Sequence, residues 1–240
     1  MQNRYAGDIG DFSKLGILRV LQAAGLTIGV NWYLSPDESH NSDGRHVGCL
    51  NSEKYWECDK DLRLELKQIV TSGKREISAL QSEKILSAVY FSDMLDFSDC
   101  SKRKRNEVRK EWHHRGLQHL KGLDVVCLDP DNGLLVPSAE GTRKENKYAK
   151  VEEVVDYYRQ GSTVIYYQHK ARKPDSFYPE QQKRLLKNPE LIDASGLGLK
   201  FITTSQRYYF FLIQPEHKKI IENALHRMLA TAWQEHFIPI

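Results

Sequence analysis

Short runs of β-branched and aromatic residues alternate along this chain with charged stretches of helical period, and the runs end in polar loops. That alternation is what most restricts the fold. A strand that recurs after a helix favours an α/β domain with a mainly parallel sheet and helices on both faces, a three-layer sandwich. Residues 12–24 read as an amphipathic helix with Gly25 as its stop, and "LTIGVNWYL" at 26–34 reads as a buried strand. Helices are expected near 59–71 and 76–86, and "AVYFSDML" at 88–95 suits a short strand or the start of a helix. A basic helix over 101–122, with Ser101 as its cap, precedes a strand at 125–128 and the turn "DPDNG". A helix at 148–159 stopping at Gly161, the strand in "STVIYYQHK", a short helix opened by Pro179, a strand pair and a closing helix complete the pattern.

With 240 residues, 40% hydrophobic and 28% charged, the composition suits one globular domain over 1–240, with the basic helix as an insertion around 96–122. No apolar run approaches the roughly 20 residues that span a bilayer. The polar start, with Asp8 and Asp11, does not read as a secretory signal, so a cytoplasmic setting is expected. Cys49, Cys58, Cys100 and Cys127 form no C-x-x-C pair and read as reduced thiols, with Cys127 in the core. The net charge of +3 decides little; its placement matters more.

In an α/β sheet ligands bind at the carboxyl ends of the strands. That rule selects three loops. The first carries Asp37, Glu38, His40, Asn41, Asp43 and His46, the second Asp129, Asp131 and Asn132, and the third Gln168 and His169. The N-terminal "RYAGDIGDFSKLGILRVL" could lie over the same edge, with Asp11 capping the helix and Asp8 facing the site. The carboxylates and histidines match no defined metal motif, and no metal or other cofactor is expected. No P-loop, G-x-G-x-x-G fingerprint or G-x-S-x-G elbow occurs. The basic helix concentrates Lys102, Arg103, Lys104, Arg105, Arg109, Lys110 and Arg115, with Trp112, His113 and His114 between them. Such a surface neutralises phosphates, although Glu107 and Glu111 also suit an ordinary solvated helix. Arg172, Lys173 and Arg207 add positive charge near the expected ligand edge.

Two family resemblances follow from these motifs. "DVVCLDPDNG", a helix, "VIYYQH" and a strand pair resemble the C-terminal half of class I adenine-N6 methyltransferases. In these, a D-P-P-Y turn grips a flipped adenine. Asp129-Pro130 match its first half, and Asp131 and Asn132 stand where the second Pro and the aromatic residue would be. "IGVNWYLSPDESHNSDGRH" and "VIYYQHKAR" resemble the two strand-end motifs of the uracil-DNA glycosylase superfamily, which implies that Asn31 orients water and His169 stabilises the departing base. "GDIGDFSKLGILR" also looks like the opening of bacterial proteins associated with anti-phage defence.

The reading that joins these features is a DNA glycosylase. It would flip a modified or damaged base from double-stranded DNA, hydrolyse its N-glycosidic bond and leave an abasic site. Asp37, Glu38, Asp129 or Asp131 would activate water or stabilise an oxocarbenium-like sugar, with Asp8 facing them and His169 serving the leaving base. Trp32, Tyr33 or Tyr167 would stack on the flipped base, and the basic helix with Arg172 would hold phosphates. Base methylation, a metal-dependent nuclease using the same carboxylates and a non-catalytic nucleic-acid-binding module remain open alternatives. The oligomeric state is open as well.

Overall fold

The computed structural model describes residues 1–38, 44, 47–203 and 206–240. In chain order, α1 (Ile9–Ala23) leads to β1 (Ile28–Asn31), and α2 (Lys60–Thr71) with α3 (Ile77–Leu80) leads to β2 (Val89–Phe91). Next, α4 (Lys102–His119) leads to β3 (Val125–Leu128), followed by a small ladder of β4 (Gly133–Leu134) and β5 (Tyr148–Ala149). The chain then runs through α5 (Val151–Arg159), β6 (Thr163–His169), α6 (Phe177–Leu185), β7 (Ser195–Phe201), β8 (Arg207–Ile213), α7 (Lys218–Leu229) and β9 (Phe237–Pro239).

Seven strands form the main sheet in the order β2-β1-β3-β6-β8-β7-β9. β2, β1, β3 and β6 are parallel neighbours, whereas β8 runs antiparallel between β6 and β7, and β9 closes the edge antiparallel to β7. β3 shows why the sheet needs cover on both sides. Val125 and Cys127 enter one apolar layer with Leu15 and Leu18 of α1, Leu62 of α2, Ile77 of α3 and Leu225 of α7. Val126 and Leu128 enter the other, with Trp112 of α4, Val154 of α5 and Tyr178 of α6. A strand buried on both faces reads as an unbroken apolar run. The result is the expected three-layer α/β architecture.

Several boundaries differ from the sequence reading. β1 ends at Asn31, and Tyr33 just beyond it sits at φ +44°, outside the extended backbone a strand needs. The helix expected at 76–86 shrinks to the single turn α3, 88–95 supplies β2, and "FIP" adds the unforeseen β9. The basic helix is no insertion: α4 is the crossover from β2 to β3. At Gly116 a Cβ would fall 2.7 Å from the Tyr157 hydroxyl, so the missing side chain lets α4 lie close on its layer. Cys127 is buried, and all four cysteines are free thiols. Among the described residues no helix is long and apolar enough to cross a membrane.

Candidate active site

The sheet topology brings the carboxyl ends of β1, β3 and β6 to one edge, and the antiparallel β8 starts there. The chain leaves β1 for β2 on one side and later fills β3 on the other, which makes this edge a topological switch point. A cavity of about 330 Å³ lies there. Its walls come from the start of α1 (Asp8, Asp11, Lys14), the loop after β1 (Glu38), the turn after β3 (Asp129, Asp131), Lys147, the end of β6 (Tyr167, His169) and the start of β8 (Arg207). Asp8, Glu38, Asp129, Asp131, Tyr167 and His169 therefore share one pocket, although they are spread over the length of the chain.

Asp8 faces the cavity as expected, but it also takes the capping role expected of Asp11. Asp8, in extended conformation, is the N-cap of α1 and accepts from the backbone amides of Gly10 at 2.6 Å and Asp11 at 3.1 Å. It also lines the cavity. Asp11 instead accepts from the Gly7 amide at 2.8 Å and pairs with Lys14 Nζ at 2.9 Å. Lys14 reaches on to Asp129 Oδ2 at 2.6 Å, and its ammonium sits 4.9 Å from the centre of the Trp32 ring. One buried lysine thus joins two carboxylates beneath the pocket.

Burial and charge set the protonation of these groups. Burial pushes the Asp129 carboxyl above the ordinary carboxylate range, against the pull of Lys14. Burial raises Asp8 too, against the attraction of Arg207 and with repulsion from Asp11. For Lys14, burial alone would favour the neutral amine, but Asp11 and Asp129 outweigh it and hold the ammonium well above its usual value. The Tyr167 hydroxyl is pushed up to about 12 by burial and lies 3.4 Å from His169 Nδ1. At the rim Lys147 pairs with Glu38 at 2.5 Å, and the Met1 amino group pairs with Asp131 at 2.6 Å. Gln168 ties the turn carrying Asp131 to β6: its Oε1 accepts from the Leu134 amide at 3.0 Å and its Nε2 donates to the Asn132 carbonyl at 2.9 Å.

No protein-family model and no curated protein matches the chain. The site is therefore read from its own geometry.

That geometry removes several expected participants. Asn31 is fully buried outside the cavity, its amide donating to the Tyr157 hydroxyl at 3.0 Å and its carbonyl oxygen accepting from the Tyr33 amide. It cannot orient a water in the pocket. Trp32 and Tyr33, just beyond β1, are core residues that enter opposite apolar layers: Trp32 stacks on Tyr90, and Tyr33 donates to Glu153 and packs edge-on against Trp112. Of the three proposed stacking rings only Tyr167 lines the cavity, where Tyr5 joins it. Asp37 is exposed and accepts weakly, at 3.4 Å, from the Arg4 amide. His40, Asn41, Asp43 and His46 lie outside the described residues.

The basic helix divides by face. Arg109 is buried and bonds Glu153 at 2.6 and 2.8 Å, as well as the Glu145 and Tyr148 carbonyls. It is a structural cation, as Trp112 is a core ring. Lys102, Arg103, Lys104 and Lys110 are exposed, and Arg115 is shared with Asp93 and Glu111. Arg105 is half-buried and donates to the Cys100 and Gly141 carbonyls. Since α4 runs back from the carboxyl end of β2, its Lys102–Lys104 end faces the edge that holds the pocket. Exposed Arg172 follows β6 at the same edge.

Sequence reasoning missed Lys14, Lys147 and the bracing by Gln168, and it counted Arg207 only as nearby positive charge. Lys14 had a signal. It stands three residues after Asp11 and four before Leu18, inside the stripe that packs on the sheet.

Proposed function

We propose that this protein hydrolyses the N-glycosidic bond of a modified or damaged base in DNA and leaves an abasic site. The observation that carries this reading is the placement of Asp8 and Asp129 in one cavity, a half-buried carboxyl near Arg207 and a buried one paired with Lys14. Two carboxyls within one pocket can divide acid and base roles between them. A cavity of about 330 Å³ is at the small end of ligand pockets, which suits an extruded base.

In this reading Asp129, oriented by Lys14, takes a proton from the attacking water and opposes the positive charge that develops at the sugar C1′. The bond from C1′ to the base nitrogen breaks, and its electron pair leaves with the base. Asp8, whose carboxyl holds its proton more tightly than an exposed one, supplies the compensating proton, and His169 hydrogen-bonds the departing base. Tyr167 and Tyr5 offer ring faces to the base. The cations of α4's first turns and Arg172 favour the phosphate backbone. The ion pair between Lys14 and Asp129 engages one oxygen of this carboxylate, Oδ2, and bears on the nuclease alternative. It places an ammonium where a nuclease would need a metal between Asp11 and Asp129.

The test is mass spectrometry of small molecules released from unmodified DNA and from DNA carrying modified or damaged bases, incubated with the protein in EDTA. Free base accompanied by alkali-labile sites is expected, and D129N and D8N should each abolish it. Nucleotide fragments that appear only when magnesium is restored would replace this reading with a nuclease.

A further inference from the structure

A second group of charges lies at the same sheet edge as the pocket, on the opposite face of the sheet. Lys170 directly follows His169, with Cα atoms about 3.8 Å apart as in any trans peptide, and Tyr208 directly follows Arg207. Because side chains alternate across a sheet, Tyr208 points away from the pocket into the opposite layer, where it stacks on Tyr178 at 4.3 Å. There its hydroxyl donates to Asp175 at 3.0 Å. The same carboxylate takes Lys170 Nζ at 2.7 Å and Lys200 Nζ at 2.6 Å.

The order of exposure is unusual. Asp175 has 53% of its side chain exposed, while Lys170 and Lys200 beneath it have 26% and 11%. An exposed anion therefore covers two cations more buried than itself. The donors are fixed independently of it: Lys200 lies within β7, Tyr208 within β8, and the Lys170 amide donates to the Gln206 carbonyl at 3.3 Å. Hydrogen bonds from Lys170, Lys200 and Tyr208 hold the Asp175 carboxyl well below the usual carboxylate range. Three donors converging on one anion, with exposed Arg172 and Lys173 alongside, are what a phosphate oxygen array requires.

We propose that Lys170, Lys200 and Tyr208 form a phosphate clamp for the DNA strand entering the pocket, filled in the free protein by Asp175, which a backbone phosphate displaces. The proposal rests on the reading of DNA as substrate, and not on the bond that is cleaved.

The experiment is fluorescence anisotropy of a labelled DNA duplex over a series of salt concentrations, with base release and melting temperature recorded on the same proteins. D175N removes the competing charge while keeping the side-chain shape. It should tighten binding by roughly 2- to 5-fold, the scale of an exposed ion pair. K170Q/K200Q should weaken binding and flatten the slope of log K against log salt by about 0.9 for each phosphate that is no longer neutralised. A folded D175N that binds DNA no tighter than the parent overturns the clamp. Inorganic phosphate that binds the parent but not K170Q/K200Q, with DNA affinity equal in both, assigns the site to free phosphate and also overturns it. If D175N tightens and the double variant flattens the slope while no base is ever released, the clamp stands and the glycosylase reading falls.

Discussion

Replacing Lys14 by methionine tests the electrostatic frame of the site. The side chains of Asp11, Lys14 and Asp129 are 1%, 3% and 5% exposed. Removing one partner of a buried ion pair leaves an uncompensated charge and costs about 3–5 kcal/mol. For a chain of this size about 2–4 °C of melting temperature goes with each kcal/mol, so K14M should melt roughly 6–20 °C lower at pH 7.5. The loss should shrink in acid. Without the lysine, burial and the Asp11 charge are opposed on Asp129 only by the Met1 amino group, and its folded pKa rises further above the unfolded value of about 3.9. A carboxyl raised in the folded state binds its proton preferentially there, so its cost is full above the folded pKa and disappears as pH falls towards the unfolded one. The gap between K14M and the parent, followed by circular dichroism, should therefore narrow from pH 7.5 to pH 5. Adding D129N removes one stranded charge, so K14M/D129N should be less destabilised than the two single losses summed. A K14M loss below about 1 kcal/mol at pH 7.5, or strictly additive losses, would refute the buried network.

Asp8 carries a cap and a place in the pocket, and two substitutions separate them. D8N keeps an oxygen for the Gly10 and Asp11 amides and should melt near the parent while losing base release, whereas D8A should also lose about 1 kcal/mol in a denaturant titration. G10A places a Cβ 2.7 Å from Arg207 Nη1 and 2.9 Å from the capping Asp8 Oδ1, so both must shift; activity should fall, with a loss of up to about 1 kcal/mol from the disturbed cap. R109M should cost about 3–5 kcal/mol by stranding Glu153, yet leave the salt slope of DNA binding unchanged. Burial pushes the Glu153 carboxyl up, but Arg109 outweighs this and holds it below its ordinary value. Its contribution is therefore present above about pH 4.3 and lost as pH falls through the folded value, a loss that R109M should lack in acid melts.

The layered fold was legible because it depends on periodicity: β3 announces burial on both faces in four consecutive apolar residues. The edge that holds the site was legible for the same reason, since parallel order sends Asp129 and His169 to one side. What composition could not show was which way a polar residue turns. Arg109, Trp112 and Gly116 are spaced three and four apart, and that narrow stripe is the buried face of α4. A count of basic residues conceals it, although the spacing displays it. Trp32 and Tyr33 looked suited to stacking as aromatics near a strand end, but their surroundings depend on what the two opposite layers cover. That is set by distant residues such as Tyr90 and Glu153.

The passage of the capping role from Asp11 to Asp8 shows how one local rule can fit two residues and how tertiary contacts choose between them. Either aspartate precedes enough of the apolar stripe to cap a helix. Asp11 is drawn inward because Lys14, one turn on, must enter the core to meet Asp129, and a buried ammonium with a second carboxylate beside it is far better compensated than one with a single partner. Once Asp11 is committed to Lys14, the helix starts earlier and Asp8 becomes the cap. The capping bonds then fix the Asp8 carboxyl at the pocket wall through two backbone amides, a rigid mounting that a flexible loop would not provide. Capping and site geometry are thus one constraint at Asp8, so an oxygen at that position should matter for the fold and its acidity only for the chemistry.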